Sequence, residues 1–129
     1  MAELIELKKE EFFKALIALQ TALAAEGDPA IIRDSVLMRF SFTSEIAWKA
    51  VRLFVAERGG KEALVPKAAW RELRRLELIS AEETEVALAM VDDRNRLSHD
   101  YSATFAQTLY ERVKGKYEPL LRKAADTLH

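Results

Sequence analysis

Residues 92–101, with the sequence DDRNRLSHDY, combine side chains that bind phosphate with side chains that move protons. Asn95 is the only asparagine of the chain, and His99 is one of two histidines. Histidine changes its protonation near neutral pH, and the planar guanidinium of Arg94 matches a phosphate group. The hydroxyl of Tyr101 can donate, accept or be modified. Together these residue types suit phosphodiester or nucleotide chemistry.

The same cluster has a purely structural interpretation. A histidine beside an aspartate at a helix end commonly caps the helix or forms an ion pair. Asp92, Asp93, Arg94 and Arg96 would then be a charged turn in contact with water. Clustered polar groups mark functional sites only in some proteins, so the residues alone leave both interpretations open.

Helix geometry constrains how the cluster could act. On a continuous helix Arg94 and His99 would point about 140° apart. They meet only if the helix ends near Ser98, or if a second copy of the motif faces the first. A two-fold dimer presents the same patch from both chains. We therefore expect a homodimer with the site at or near its interface.

The elements that must position this cluster are helices. Breaks are predicted at Gly27 and at Gly59-Gly60, Pro66 suits the first turn of a helix, and Ser80 with Glu83 forms a capping-box pattern. Ser102 and Thr104 compete as the cap of the last helix. Apolar residues recur at three and four positions between these marks. The pattern predicts helices at about 3–25, 30–58, 66–77, 81–98 and 103–127.

These helices predict an all-α fold, an up-and-down antiparallel bundle of four to five helices. The second helix is apolar on several sides, so we expect it at the centre of the bundle. Phe40, Phe42, Ala47 and Trp48 are expected to pack in the core. No linker or repeat divides the chain, so residues 1–129 are expected to form a single domain.

Composition excludes several classes of site. The chain has no cysteine, which excludes disulfides, thiolate catalysis and cysteine-based zinc sites. Its net charge of −1 provides no overall attraction to nucleic acid or anionic lipid. No apolar run is long enough for a membrane span, and the charged start does not fit a signal peptide. We expect a cytoplasmic protein without a membrane partner.

Two segments resemble one family. Arg94, His99 and Tyr101 have the spacing of the arginine–histidine–tyrosine motif of HEPN domains, and Asn95 directly after the arginine is also typical. Residues 39–49, RFSFTSEIAWK, resemble the central helix of the nucleotidyltransferase substrate-binding proteins, which work with a separate minimal nucleotidyltransferase. The resemblance extends from about residue 4 to residue 121.

The resemblance implies a HEPN-like bundle that dimerises and has a minimal nucleotidyltransferase as its partner. ATP and metal would bind to that partner, so this chain is expected to hold no metal or cofactor and to lack transferase activity alone. Arg94, Asn95, His99 and Tyr101 would line a groove for nucleotide or RNA. Arg94 would bind phosphate, while Tyr101 is also a candidate for modification. Glu45 would either pair inside the bundle or face the motif, because buried carboxylates are rare unless paired.

Two alternatives stay open at this stage. In the first, the chain is a metal-independent endoribonuclease toxin of the HEPN type. His99 would then act as a general base or acid, Arg94 would stabilise charge on the phosphate, and an antitoxin would silence the site by nucleotidyl transfer to Tyr101. In the second, the chain is a non-catalytic dimeric scaffold, and alanine at Arg94, His99 or Tyr101 would cost only stability.

Overall fold

The structure, a computed structural model, describes residues 2–129, and within them the regular elements are all helical. In chain order they are α1 (Ala2–Ala24), α2 (Pro29–Glu57), α3 (Pro66–Arg75), α4 (Ala81–Leu97), α5 (Ala103–Arg112), a π-helical turn (Val113–Tyr117) and α6 (Glu118–Leu128). Helix α5, the π-helical turn and α6 follow one another without a break and form one long helical segment. The predicted all-α bundle is therefore confirmed. No helix within residues 2–129 is both long and apolar enough to cross a membrane.

Helix α2 lies at the centre of the bundle, as predicted. It contacts each of the other α-helices, and Val36 and Leu37, which point about 100° apart around the helix, are both fully buried. Thr43 is a polar residue at a fully buried position of α2. The Thr43 hydroxyl donates to the carbonyl oxygen of Arg39 at 2.7 Å and lies 3.1 Å from that of Ala15. This contact satisfies a buried polar group and holds α1 against α2.

Helices begin where the sequence signals place them. Pro66 is the first residue of α3. Ser80 and Glu83 form the predicted capping box at the start of α4, each side chain accepting from the other residue's backbone N–H. Ser102, and not Thr104, caps α5, because its hydroxyl accepts the N–H of Phe105. These caps satisfy N–H groups that have no partner inside their helices.

The π-helical turn was not predicted. The apolar pattern continues through Val113 and Tyr117 at a spacing of four, so the sequence predicts one regular helix. In the structure the widened turn places the Tyr117 ring against Phe40 of α2, with centroids 5.6 Å apart and planes at 16°. Such turns are rare and frequently occur near functional sites.

The core prediction was wrong for one residue. Phe40, Ala47 and Trp48 are buried, but Phe42 is 60% exposed. Phe42 lies two positions after Phe40, which is about 200° around the helix. That side of α2 is left open by the other described helices, so the residue belongs to the surface.

Helix α3 is amphipathic. Trp70 is fully buried, while Arg71, Arg74 and Arg75 are exposed. The helix therefore covers one flank of α2 and faces water with its basic side.

Candidate functional site

The motif lies where α4 ends and the chain turns into α5. Helix α4 ends at Leu97, so the condition that a helix end falls near Ser98 is met. The Arg96 guanidinium donates to the Asp100 carboxylate at 2.9 Å and lies over the ring of Phe105, 4.0 Å from its centroid. Asp100 also accepts the backbone N–H of Ser102 at 3.1 Å. Together that N–H and Arg96 hold the pKa of Asp100 below its ordinary value. These contacts fix the loop that carries His99 and Tyr101.

Arg94 points from α4 towards α2. Its Nη2 atom lies 3.5 Å from a carboxylate oxygen of Glu45, which also pairs with Lys49 at 3.3 Å. Glu45 therefore faces the motif, which was one of the two predicted options. The Nε atom of Arg94 is buried and has no hydrogen-bond partner within residues 2–129. A buried donor without a partner is unfavourable. The rest of the guanidinium is partly exposed and has further N–H groups that can donate to a ligand oxygen.

Tyr101 lies over the first part of α2. Its hydroxyl donates to Oδ1 of Asp34 at 3.0 Å, and Nε of Arg33 donates to the same oxygen at 3.1 Å. Burial of the phenol, followed by the neighbouring Asp34 carboxylate, raises the pKa of Tyr101 above its ordinary value. The residue is nevertheless 52% exposed. Its hydroxyl is held in place while its ring remains accessible from outside.

Asn95 and His99 face water, and neither side chain forms a hydrogen bond within residues 2–129. Arg94 and His99 are not joined by a hydrogen bond either, although the helix ends between them. Arg94 and Tyr101 contact α2 at Glu45 and Asp34, which are about 16 Å apart along the helix axis. Within a single chain, Arg94 and Tyr101 therefore contact the same side of α2 at well separated positions.

An exposed apolar stripe occupies the same side of α2. It consists of Ile31, Met38 and Phe42, each more than half exposed. Met38 and Phe42 lie between the contact positions of Tyr101 and Arg94. Exposed apolar residues that cluster next to a polar motif commonly mark a binding surface.

A polar network that the sequence did not predict lies on the other side of α4. Asp93 is buried, with both carboxylate oxygens 3.0 Å from Nη1 of Arg112. The hydroxyl of Tyr117 also donates to Asp93. Burial beside this carboxylate raises the pKa of Tyr117 well above its ordinary value. The network forms part of a cleft of about 610 Å³ between α4 and the π-helical turn.

One signal could have revealed Asp93. It lies three positions after the buried Met90 on α4, so it falls on the side of the helix that faces the core. A carboxylate at a core position is expected to be paired. Its partners Arg112 and Tyr117 lie 19 and 24 positions later, so no local sequence pattern connects them to Asp93. Arg33 and Asp34 were likewise missed, because nothing in the sequence connects them to Tyr101.

The fold and the site define a small helical-bundle protein with an arginine–histidine–tyrosine motif beside its central helix. The family described as nucleotidyltransferase substrate binding protein like matches residues 7–129, and the chain belongs to this family. The resemblance found in the sequence is thereby confirmed. No curated protein matches the chain.

Solved structures share the fold. A Thermus thermophilus protein is 32% identical, with a TM-score of 0.84 over 92% of this chain and 98% of its own. A mutant of the toxin–antitoxin MntA–HpeT is 15% identical, with a TM-score of 0.78 over 98% of this chain and 97% of its own. The tri-AMPylated Shewanella oneidensis HEPN toxin in complex with MNT antitoxin is also 15% identical, with a TM-score of 0.78 over 99% and 98%. The last two establish likeness of fold alone.

Proposed function

We propose that this chain is a cytoplasmic substrate-binding subunit that works with a separate minimal nucleotidyltransferase, to which it presents Tyr101 as an acceptor. The observation that carries the proposal is the placement of Tyr101. Its ring is half exposed, and its hydroxyl is fixed by Asp34 at the edge of the bundle. The Shewanella oneidensis HEPN toxin, which has the same fold, is tri-AMPylated in its complex with MNT antitoxin. That relative supports the same class of reaction here.

The other motif residues have separate roles in this proposal. Arg94 binds a phosphate group of the nucleotide or nucleic-acid ligand through its guanidinium. Glu45 holds that guanidinium in position through the contact at 3.5 Å. Asn95 and His99, whose side chains face water, orient the ligand by hydrogen bonds. The chain itself supplies no metal or cofactor, and the partner supplies the nucleotide.

The proposal includes a homodimer in which two motifs face each other. Support comes from the apolar stripe of Ile31, Met38 and Phe42, which borders the motif and is exposed in a single chain. Pairing of two stripes would remove this apolar surface from water. It would also place Arg94 of one chain and His99 of the other at a shared interface.

Complex formation tests the partner. The chain would be co-expressed with each minimal nucleotidyltransferase of its own genome and analysed by size-exclusion chromatography with light scattering. We expect a stable complex with one of them, and we expect the complex to persist in Tyr101→Phe because only a hydroxyl is lost. If none of these enzymes binds the folded chain, the proposed function is wrong.

A metal-independent endoribonuclease is the second candidate. The exposed side chain of His99 favours it, because a general base must be free to reach a ribose hydroxyl. Purified chain would be incubated with labelled total RNA in a chelator, beside His99→Ala and Arg94→Ala. Cleavage that is lost in both folded variants would establish the endoribonuclease and make nucleotidyl transfer to Tyr101 its means of regulation. Absence of cleavage by a folded wild-type chain would exclude this candidate.

A further inference from the structure

A carboxylate with two donors lies beside the proposed acceptor. Oδ1 of Asp34 accepts the Tyr101 hydroxyl at 3.0 Å and Nε of Arg33 at 3.1 Å. Asp34 and Arg33 are neighbours near the start of α2, whereas Tyr101 is 67 positions from Asp34 in the sequence. The contact therefore depends on the tertiary fold. It places an acid–base group directly on the oxygen atom that would react.

We propose that Asp34 is the general base for nucleotidyl transfer to Tyr101 and that Arg33 binds the phosphate that is transferred. This inference rests on the proposed function. In the reaction the Tyr101 oxygen attacks the α-phosphorus of a nucleoside triphosphate bound by the partner. The new oxygen–phosphorus bond forms while the bond between the α-phosphorus and its bridging oxygen breaks. Pyrophosphate leaves, and the phenol proton moves to Asp34.

The ionisation of the phenol explains why a base is needed. Burial and the Asp34 carboxylate raise the pKa of Tyr101 above its ordinary value. The phenolate is therefore scarce at neutral pH, although the phenolate oxygen is the better nucleophile. A carboxylate already within hydrogen-bond distance can take the proton as the new bond forms.

Arg33 becomes available during the same step. Before transfer its guanidinium pairs with the Asp34 carboxylate. Once Asp34 is protonated it no longer attracts the guanidinium, whereas the new phosphodiester on Tyr101 carries a negative charge. Arginine binds phosphate well, so Arg33 can change partner without leaving the site. Transfer also removes the phenol proton that joins Tyr101 to Asp34.

The test compares initial rates of labelling of Tyr101 by ATP labelled at its α-phosphate. The reaction contains magnesium and the minimal nucleotidyltransferase from the same genome that binds the chain. Asp34→Asn keeps the size of the side chain and an oxygen that accepts the Tyr101 hydroxyl, but it has no carboxylate. General bases contribute roughly 10²–10⁴-fold, so we expect a loss of at least about tenfold in Asp34→Asn and a similar loss in Asp34→Ala.

Controls separate catalysis from positioning. If Asp34 only held the loop, Asp34→Asn would label at nearly the wild-type rate and Asp34→Ala alone would be slow; that result would overturn the proposal. Glu57→Gln, an exposed position at the far end of α2, should label like wild type, and Tyr101→Phe should not label. If the wild-type chain binds its partner but receives no label, the proposed function fails, and this inference fails with it.

A second measurement does not use the partner. Ultraviolet absorbance titration of wild type, Asp34→Asn and Tyr101→Phe gives the pKa of Tyr101 by difference. We expect Asp34→Asn to lower that pKa, because an amide does not favour the protonated phenol as a carboxylate does. An unchanged pKa would show that the contact is absent in solution, and the proposal would be wrong.

Discussion

Replacement of Asp93 by alanine should destabilise the fold more than any single change in the exposed motif. Asp93 is 9% exposed, and its carboxylate accepts two contacts from Arg112 and one from Tyr117. A hydrogen bond to a charged group contributes about 1.5–3 kcal/mol, and a buried hydroxyl left without a partner costs about 1–3 kcal/mol. Arg112 is partly exposed, so water can solvate its guanidinium once the Asp93 carboxylate is removed. The loss of its contacts therefore contributes little to the destabilisation. We therefore expect Asp93→Ala to lower the free energy of unfolding by about 3 kcal/mol.

The assay is urea denaturation followed by circular dichroism at a fixed protein concentration, because association would otherwise alter the apparent stability. Asp92→Ala is the matched control. Its carboxylate pairs with Lys67 at 2.7 Å on the surface, where such pairs contribute at most about 1 kcal/mol. Asp93→Asn keeps an acceptor for Tyr117, so its loss of unfolding free energy should fall between those of the two alanine variants. Equal effects of Asp93→Ala and Asp92→Ala would show that the buried network does not stabilise the fold.

Three further predictions concern the helix cap, the buried phenol and the exposed stripe. Ser80→Ala removes one half of the capping box and should lower the free energy of unfolding by about 1 kcal/mol in urea denaturation; no change would show that the cap does not stabilise α4. The raised pKa of Tyr117 means that folding favours the protonated phenol. That contribution is complete below about pH 10, the ordinary value for tyrosine, and is lost as pH rises through the higher folded-state value. Between about pH 10 and pH 11.5 the wild type should therefore lose more stability than Tyr117→Phe, and equal losses would contradict this linkage. Phe42→Glu should convert the proposed dimer to a monomer in light scattering with unchanged helical content, because it places a charge in the apolar stripe; a variant that remained dimeric would exclude this surface as the interface.

The sequence predicted the helices well because their signals are local. Pro66 and the capping box of Ser80 and Glu83 mark helix starts through contacts within one turn. Apolar residues at a spacing of three and four positions predicted the extent of each helix, since a helix that buries one face must repeat with that period. The π-helical turn could not be predicted, because its apolar residues, Val113 and Tyr117, keep the spacing of four that an ordinary α-helix has.

The site was predictable only in part. Residue types alone pointed to Arg94, Asn95, His99 and Tyr101, and Glu45 was anticipated as a residue that could face them. The partners of Tyr101 could not be predicted, because Asp34 reaches it across 67 positions. Phe42 was assigned to the core because an aromatic residue in an apolar helix is usually buried. Its exposure depends on which sides of α2 the other helices cover.

The most direct test of whether Tyr101 is the acceptor is to identify the residue that receives a nucleotidyl group. The chain would be incubated with its minimal nucleotidyltransferase, magnesium and ATP, digested, and analysed by mass spectrometry. We expect the peptide containing Tyr101 to gain the mass of a nucleotidyl group and Tyr101→Phe to gain none. Modification at another residue, or an unmodified chain in a stable complex with an active nucleotidyltransferase, would contradict this expectation.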